Sequence, residues 1–264
     1  MKIKANGIDI NYEVQGPADG PWLVLSHSLA CDLRMWDDQV AVFSKRCRVL
    51  RYDTRGHGQS SAPAGDYTLD QLAADAQALL HALGVKHCHW VGLSMGGMIG
   101  QTFALKYPGV FSSLTLADTT SRRHEGARQM WDGRIKLAHE QGMQALVEPT
   151  LQRWFTEPFR QANPAVMAHI GAMIRGIPAA GYAGCARAIS EMNLTARLKE
   201  ITCPALVMAG AEDAGTPVEM THEIHANLPG SELVIIPAAS HLSNVEQPGA
   251  FNSALSAFLG RQGV

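Results

Sequence analysis

Two patterns of apolar residues alternate along most of the chain. Short runs of about five apolar residues predict strands that are buried on both faces. Longer stretches, in which apolar residues recur every three or four positions, predict helices packed on such a sheet. We therefore expect an α/β fold with a mostly parallel central sheet and helices on both faces. The predicted strands are 22–26, 48–52, 89–91, 114–117, 205–209 and 233–236, and the predicted helices are 36–43, 69–83, 98–105, 218–227 and 249–259.

The start of the chain predicts a different element. Residues 3–5 and 8–14 alternate apolar with polar side chains on either side of Asn6-Gly7. Asn-Gly is the strongest short signal for a hairpin, because both residues tolerate the positive φ of a tight turn. We therefore expect an antiparallel hairpin before the first parallel strand.

One long segment interrupts the alternation of strands and helices. Residues 120–197 contain helical patterns and no clear strand, and strands resume at residue 205. The sheet needs the strands on both sides of this segment, so the segment is an insertion rather than a separate domain. We predict a core formed by residues 1–119 and 198–264, with residues 120–197 inserted as a helical lid.

Composition and charge argue against several functional classes. The chain has 264 residues, of which 46% are hydrophobic and 17% charged, and its formal net charge is −2. No run of Lys or Arg stands out, so we expect neither a nucleic-acid partner nor an anionic membrane partner. No apolar run approaches the roughly 18 residues that span a bilayer, and the N-terminus has no apolar signal region. These features predict a cytoplasmic protein.

The cysteines do not form a recognisable pattern. Their number is odd and none is in a CxxC spacing, so we expect neither a disulfide framework nor a metal site. The cysteines are Cys31, Cys47, Cys88, Cys185 and Cys203.

The strongest candidate for chemistry is the sequence Gly92-Leu93-Ser94-Met95-Gly96. A Gly-x-Ser-x-Gly pattern between a predicted strand and a predicted helix is typical of a nucleophile elbow, in which a sharp turn exposes the serine. The N-terminus of the following helix favours the negative charge that develops during acyl transfer. The alternative is a glycine-rich turn with an incidental serine, because short patterns have many false positives.

Two downstream residues are candidates to activate Ser94. Asp213 follows the predicted strand 205–209, and His241 follows the predicted strand 233–236. Catalytic groups of α/β sheets collect at the carboxyl ends of strands, and the order Ser, Asp, His is that of hydrolases with this elbow. His241 is the predicted base, and Asp213 is predicted to orient it. Asp118 and Glu212 are the alternatives to Asp213.

A second histidine also follows a predicted strand. His57 lies in Asp53-Thr54-Arg55-Gly56-His57-Gly58, where the glycines are typical of a tight turn. We interpret His57 as a structural residue rather than a chemical one.

With these residues in place, the chain resembles the α/β-hydrolase superfamily along essentially its whole length. That resemblance implies an oxyanion hole formed by the backbone N–H groups of Met95 and Leu29. The chain departs from the family pattern at Ser28, where a glycine is usual after His27. The matching motifs are 27–29, 53–60, 92–97, 210–213 and 240–241.

Within the superfamily, the chain most resembles the 3-oxoadipate enol-lactonases, through residues 51–58, 93–97 and 153–156. This resemblance implies the opening of a small anionic enol-lactone in aromatic catabolism, without a cofactor. An anionic substrate requires a cation, and a guanidinium suits a carboxylate. Arg134 is our candidate, with Trp131 and Trp154 as walls of the pocket. The alternative interpretation is that Arg134 is exposed to solvent and that Trp131 and Trp154 belong to the hydrophobic core.

The sequence therefore predicts a serine hydrolase that opens a small-molecule ester or lactone through an acyl-enzyme. A general short-chain carboxylesterase and a cofactor-free perhydrolase are the nearest alternatives, because the same three residues serve both. A ligand receptor on a hydrolase fold and a scaffold with a vestigial triad are more distant ones. The sequence does not determine the natural substrate, the acyl size or the oligomeric state.

Overall fold

An eight-stranded sheet runs through the protein, and the computed structural model describes residues 1–264. The strands are ordered β1-β2-β4-β3-β5-β6-β7-β8 across the sheet, and β3 to β8 are mutually parallel. This arrangement confirms the predicted fold class. The strands are β1 Lys2–Ala5, β2 Ile8–Gln15, β3 Trp22–Ser26, β4 Arg48–Tyr52, β5 Cys88–Leu93, β6 Phe111–Ala117, β7 Ala205–Gly210 and β8 Glu232–Ile236.

The predicted hairpin forms the antiparallel edge of the sheet. β1 pairs with β2 from Lys2 opposite Asn11 to Ala5 opposite Ile8. Asn6 and Gly7 connect them with φ values of 48° and 78°, the left-handed region that a two-residue hairpin turn demands. β2 then pairs antiparallel with β4, which joins the hairpin to the parallel part of the sheet.

Helices cover both faces of this sheet. No helix combines the length and the apolar character that a membrane span requires. α2 begins where the sequence indicates, because the Thr68 side chain caps it by accepting a hydrogen bond from the Gln71 N–H. The helices are α1 Asp37–Phe43, α2 Leu69–Ala82, α3 Met95–Lys106, α4 Ala127–Gln141, α5 Gln144–Trp154, α6 Glu157–Ala162, α7 Pro164–Gly176, α8 Ala179–Ser190, α9 Val218–Asn227, α10 Ser243–Glu246 and α11 Pro248–Arg261.

The segment between β6 and β7 contains α4 to α8, as its helical patterns indicate. Its two ends meet, since Arg122 and Asn193 form an isolated antiparallel bridge and the Leu194 N–H donates to the Ser121 carbonyl at 2.7 Å. The segment therefore leaves and rejoins the sheet at one place. Its behaviour as a separate lid on a core of residues 1–119 and 198–264 stays a prediction.

Candidate active site

Ser94 lies in the sharp turn between β5 and α3. Its φ of 55° and ψ of −114° place a non-glycine residue in a strained conformation. The flanking glycines make that turn possible. A Cβ on Gly92 would lie 2.1 Å from the Gly96 carbonyl oxygen, and a Cβ on Gly96 would lie 2.0 Å from the Ser26 carbonyl oxygen. Only residues without a side chain permit this approach of α3 to β3 and β5.

The structure brings the three predicted catalytic residues into one hydrogen-bonded chain. Ser94 Oγ lies 3.0 Å from His241 Nε2, and His241 Nδ1 lies 2.9 Å from Asp213 Oδ2. The Asp213 carboxylate is held in turn by the Gly215 and Thr216 N–H groups, at 2.7 Å and 2.9 Å, and by the Thr216 hydroxyl at 2.7 Å. These distances are those of a serine nucleophile, a base and a group that orients the base.

The charges at this site are set by burial and by the contact between His241 and Asp213. Burial raises the pKa of Asp213. The contact with His241 and the hydrogen bonds from Thr216 lower this pKa by more than burial raises it, so the net shift is downward. Burial lowers the pKa of His241, but the Asp213 carboxylate outweighs it and the net shift is upward. We infer an ionised Asp213 that accepts a hydrogen bond from the His241 Nδ1–H, which leaves Nε2 free to accept the Ser94 proton.

We expect kcat/KM to rise with pH through a midpoint above 6.5, the ordinary pKa of histidine. The base must be neutral to accept a proton, so activity is lost as pH falls through the raised pKa of His241. Asp213→Asn should move that midpoint downward, because the variant removes the charge that stabilises the imidazolium. A pH series with p-nitrophenyl acetate measures both midpoints. An unchanged midpoint in the variant would argue against Asp213 as the partner of His241.

The alternatives to Asp213 lie elsewhere. Glu212 is exposed at the surface. Asp118 is completely buried, but its carboxyl oxygens bond to the Gly210 N–H and the Ser243 hydroxyl rather than to His241. Asp213 is therefore the acid that touches the histidine.

Two backbone N–H groups are placed near Ser94 as candidate oxyanion donors. Met95 begins α3, so its N–H has no acceptor within the helix. The Leu29 N–H belongs to the loop after β3, and Leu29 lines the same cavity as Ser94. The role of both residues as an oxyanion hole stays a prediction.

His57 holds the loop that carries Leu29. Its Nε2 accepts a hydrogen bond from the Ala30 N–H at 3.0 Å, and its Nδ1 lies 3.3 Å from the Arg55 carbonyl oxygen. Burial lowers the pKa of His57 to about 3, with a further contribution from the charge on His27, so the ring is neutral. Ala30 has a φ of 63°, and this bond stabilises it there. The structural interpretation of His57 agrees with these contacts.

A cavity of about 160 Å³ opens above Ser94 and His241. It brings together Trp131 and Arg134 on α4 with Trp154 at the end of α5, the three residues predicted to bind substrate. The Arg134 guanidinium lies over the Trp131 ring, 4.9 Å from its centroid. The Trp154 ring stacks near the His241 imidazole, with centroids 6.1 Å apart. The helices between β6 and β7 therefore form one wall of the cavity.

Sequence reasoning missed Arg153, which lines this cavity and, like Arg134, has no carboxylate partner. Arg153 is half-buried, and its guanidinium bonds only to the Pro149 carbonyl at 2.8 Å and the Thr150 hydroxyl at 3.1 Å. Burial, and then the nearby charge of Arg134, lower the pKa of Arg153 to about 10. Residues 153–156 carried the resemblance to the enol-lactonases, but no pattern in the sequence marked Arg153 as a ligand.

Comparison with known proteins agrees with this geometry. A sequence profile for the alpha/beta hydrolase fold matches residues 21–248. The chain is 38% identical over 259 residues to 3-oxoadipate enol-lactonase 2 of Acinetobacter baylyi, with 98% of this chain and 96% of that protein covered. The crystal structure of an enol-lactonase from Burkholderia xenovorans LB400 has a TM-score of 0.95 and 36% identity, covering 98% of this chain and 100% of the other. A thermophilic esterase from Thermogutta terrifontis has a TM-score of 0.94 and 30% identity, covering 99% of each chain. The resemblance predicted from the sequence is confirmed.

Proposed function

The chain belongs to the alpha/beta hydrolase fold family, and on that premise we propose that this hydrolase opens 3-oxoadipate enol-lactone through an acyl-enzyme on Ser94. The observation that carries the proposal is a pair of half-buried arginines, Arg134 and Arg153, that line the cavity above Ser94 without a carboxylate partner. Buried cations are normally paired. An anionic substrate would supply the missing charge, and the enol-lactonase relatives are named for such a substrate.

The triad geometry supports the first half of the reaction. Ser94 Oγ attacks the lactone carbonyl carbon while His241 Nε2 accepts the hydroxyl proton, and Asp213 stabilises the resulting imidazolium. Negative charge forms on the carbonyl oxygen, where the N–H groups of Leu29 and Met95 would each lower the barrier by roughly 3–4 kcal/mol. The ring C–O bond then breaks, and the imidazolium returns the proton to the departing enol oxygen.

The second half of the reaction differs between a lactone and an open-chain ester. The enol of an opened lactone remains attached to the acyl group, so no product leaves before water enters. His241 accepts a proton from that water as it attacks the acyl-enzyme, and Ser94 regains its proton as the ester bond breaks. The cavity must therefore hold the whole acyl chain through both steps, including the free carboxylate at the end that is not bonded to Ser94.

Arg134→Ala is expected to raise KM for 3-oxoadipate enol-lactone by about 10–100-fold, because a charged hydrogen bond is worth roughly 1.5–3 kcal/mol. The KM for the neutral ester p-nitrophenyl acetate should change by less than about three-fold, since it has no carboxylate. Arg153→Ala should act in the same direction. Steady-state kinetics on both substrates measure the difference.

Arg128→Ala is the matched control for this prediction. Arg128 lies on the same helix, α4, but is exposed and paired with Glu191 at 3.3 Å rather than lining the cavity. The same loss of charge there should leave both KM values unchanged. An equal effect of Arg134→Ala on the lactone and on the neutral ester would contradict carboxylate binding.

One comparison tests the proposed substrate directly. We expect kcat/KM on 3-oxoadipate enol-lactone to exceed that on short-chain esters by at least about 100-fold, since specificity is a ratio of these constants. The reverse ratio would favour the carboxylesterase alternative, which the likeness to the T. terrifontis esterase keeps open. Single-turnover hydrolysis of every substrate would instead favour a ligand receptor.

A cytoplasmic location and the absence of a cofactor stay predictions.

A further inference from the structure

We propose that Asp118 is a positioning residue, whose buried carboxyl group holds the Asp213 loop (residues 211–217) and the His241 loop (residues 237–242) at the spacing the triad needs. The inference rests on the proposed catalytic role of Ser94, His241 and Asp213. It does not depend on the enol-lactone as the substrate.

Asp118 lies between the two loops at the end of β6. Its backbone continues the sheet, with its N–H donating to the Met208 carbonyl at 2.9 Å, and its φ of 46° is in the left-handed region. No part of the residue is exposed. A strained backbone and a completely buried carboxyl group both cost free energy. A residue that carries both free-energy costs is retained where its contacts with the surrounding structure offset them.

The two carboxyl oxygens of Asp118 bond to residues that adjoin different loops, Gly210 at the end of β7 and Ser243 at the start of α10. Oδ1 accepts a hydrogen bond from the Gly210 N–H at 2.7 Å, immediately before the Asp213 loop. Oδ2 lies 2.5 Å from the hydroxyl of Ser243, two residues after His241. One side chain therefore ties the start of one triad loop to the end of the other.

The loops have little freedom to compensate for the loss of this link. A Cβ on Gly210 would lie 2.3 Å from the Ser240 carbonyl oxygen, so the two backbones are already in close contact there. The hydrogen bond of 2.9 Å between Asp213 and His241 depends on their relative position. A displacement of about 1 Å at a catalytic group is able to lower the rate about 100-fold.

The charged groups that face Asp118 are Asp213, after β7, and His241, before α10. Burial, and then the Asp213 carboxylate, raise the pKa of Asp118 to about 8. This upward shift favours the uncharged carboxyl group, which acts through hydrogen bonds. Asparagine reproduces that uncharged group, with an oxygen for the Gly210 N–H and an amide N–H for the Ser243 hydroxyl. Alanine removes both contacts.

The test compares Asp118→Asn, Asp118→Ala and Ser243→Ala with p-nitrophenyl acetate as substrate. We expect Asp118→Ala to lower kcat about 100-fold while KM changes by less than about three-fold, because the triad is displaced. Asp118→Asn should stay within about three-fold of the wild-type kcat and keep the wild-type midpoint on the acid side of the pH profile. Ser243→Ala, which removes one of the two links, should lower kcat about ten-fold.

Ser113→Ala is the matched control. Ser113 is also buried on β6, at the opposite end of the strand, and its hydroxyl bonds to His89 Nδ1 at 2.8 Å. Its loss should lower the melting temperature and leave kcat unchanged. A folded Asp118→Ala with wild-type kcat would overturn the proposal. An Asp118→Asn variant with a kcat as low as that of Asp118→Ala would also overturn it. So would an Asp118→Asn variant whose pH profile has a lowered midpoint on the acid side, because the charge of Asp118 rather than its two hydrogen bonds would then support activity.

The melting temperature, measured as a function of pH, tests independently whether the Asp118 carboxyl group is uncharged. The folded pKa of Asp118 lies above its unfolded value of 3.8, so wild-type stability falls as pH rises between these values. From about pH 5 to pH 8, the melting temperature of Asp118→Asn should gain roughly 5 °C relative to the wild type. No gain would contradict the uncharged state. Failure of the proposed function itself would appear separately, as a wild type without esterase turnover.

Discussion

Ser94→Ala is expected to lower kcat for every ester and lactone by about 10⁴–10⁶-fold, the range found when a nucleophilic serine is removed from a triad. The hydroxyl is the atom that forms the acyl bond, and no other side chain within hydrogen-bond reach of His241 Nε2 replaces it. The backbone at Ser94 already has a positive φ, so alanine adds no new constraint. We therefore expect the fold and the melting temperature to change little.

A matched serine separates chemistry from stability in this experiment. Ser190 is buried in α8, and its hydroxyl bonds to the Arg187 carbonyl in the same helix at 2.8 Å. Ser190→Ala should retain wild-type kcat. Mass spectrometry after mixing the enzyme with substrate should also show an acyl adduct in the wild type and none in Ser94→Ala. Residual activity above about one part in 1,000 in Ser94→Ala would contradict its role as the nucleophile.

Gly96→Ala should have the largest effect on stability, a loss of more than about 4 kcal/mol in the free energy of unfolding. The added methyl group would lie 2.0 Å from the Ser26 carbonyl oxygen and 2.5 Å from its carbonyl carbon. Both are backbone atoms of a central strand, so β3 and α3 must separate to admit it. Urea denaturation followed by tryptophan fluorescence measures the change.

Gly133→Ala is the control for this substitution. Gly133 also lies within a helix, α4, but it is exposed and a Cβ there would meet nothing within 4 Å. Alanine should therefore stabilise the protein slightly, by about 0.5–1 kcal/mol, because it has the higher helix propensity. A Gly96→Ala variant with wild-type stability would contradict the close packing of the elbow against β3.

Local patterns predicted a large part of this fold. Asn6-Gly7 forms the predicted hairpin turn, and Thr68 caps the predicted helix. β3 and β4 have the predicted bounds, because each contains a buried apolar run. Several other elements extend beyond their predicted bounds, such as β5 (88–93 rather than 89–91) and β6 (111–117 rather than 114–117), because hydrogen bonding between neighbouring strands sets a strand's ends and a pattern of apolar residues does not record it.

The pocket was only partly predictable. Arg134 was a candidate because an anionic substrate requires a cation, with Trp131 and Trp154 as walls, and all three residues line the cavity. Arg153 was not a candidate, because only the packing of α5 over Ser94 places its side chain in the cavity. Asp118 remained an alternative to the predicted Asp213 in the sequence, since both follow a strand.

The sequence by itself determined the order of strands and helices, the elbow at Ser94 and the order in which its candidate partners follow. These features are local, since they depend on apolar periodicity, on glycines at a turn and on positions at strand ends. The sequence named Asp213 as the partner of His241, and the tertiary structure separates it from the alternative Asp118. Strand order across the sheet brings β7 beside β8, and the Asp118 carboxyl group bonds to Gly210 and Ser243 instead. The tertiary structure also decided that Arg134 and Arg153, the two lining arginines without a carboxylate partner, share the cavity above Ser94. Contacts between residues far apart in the chain depend on how the elements pack, and no local pattern records that packing.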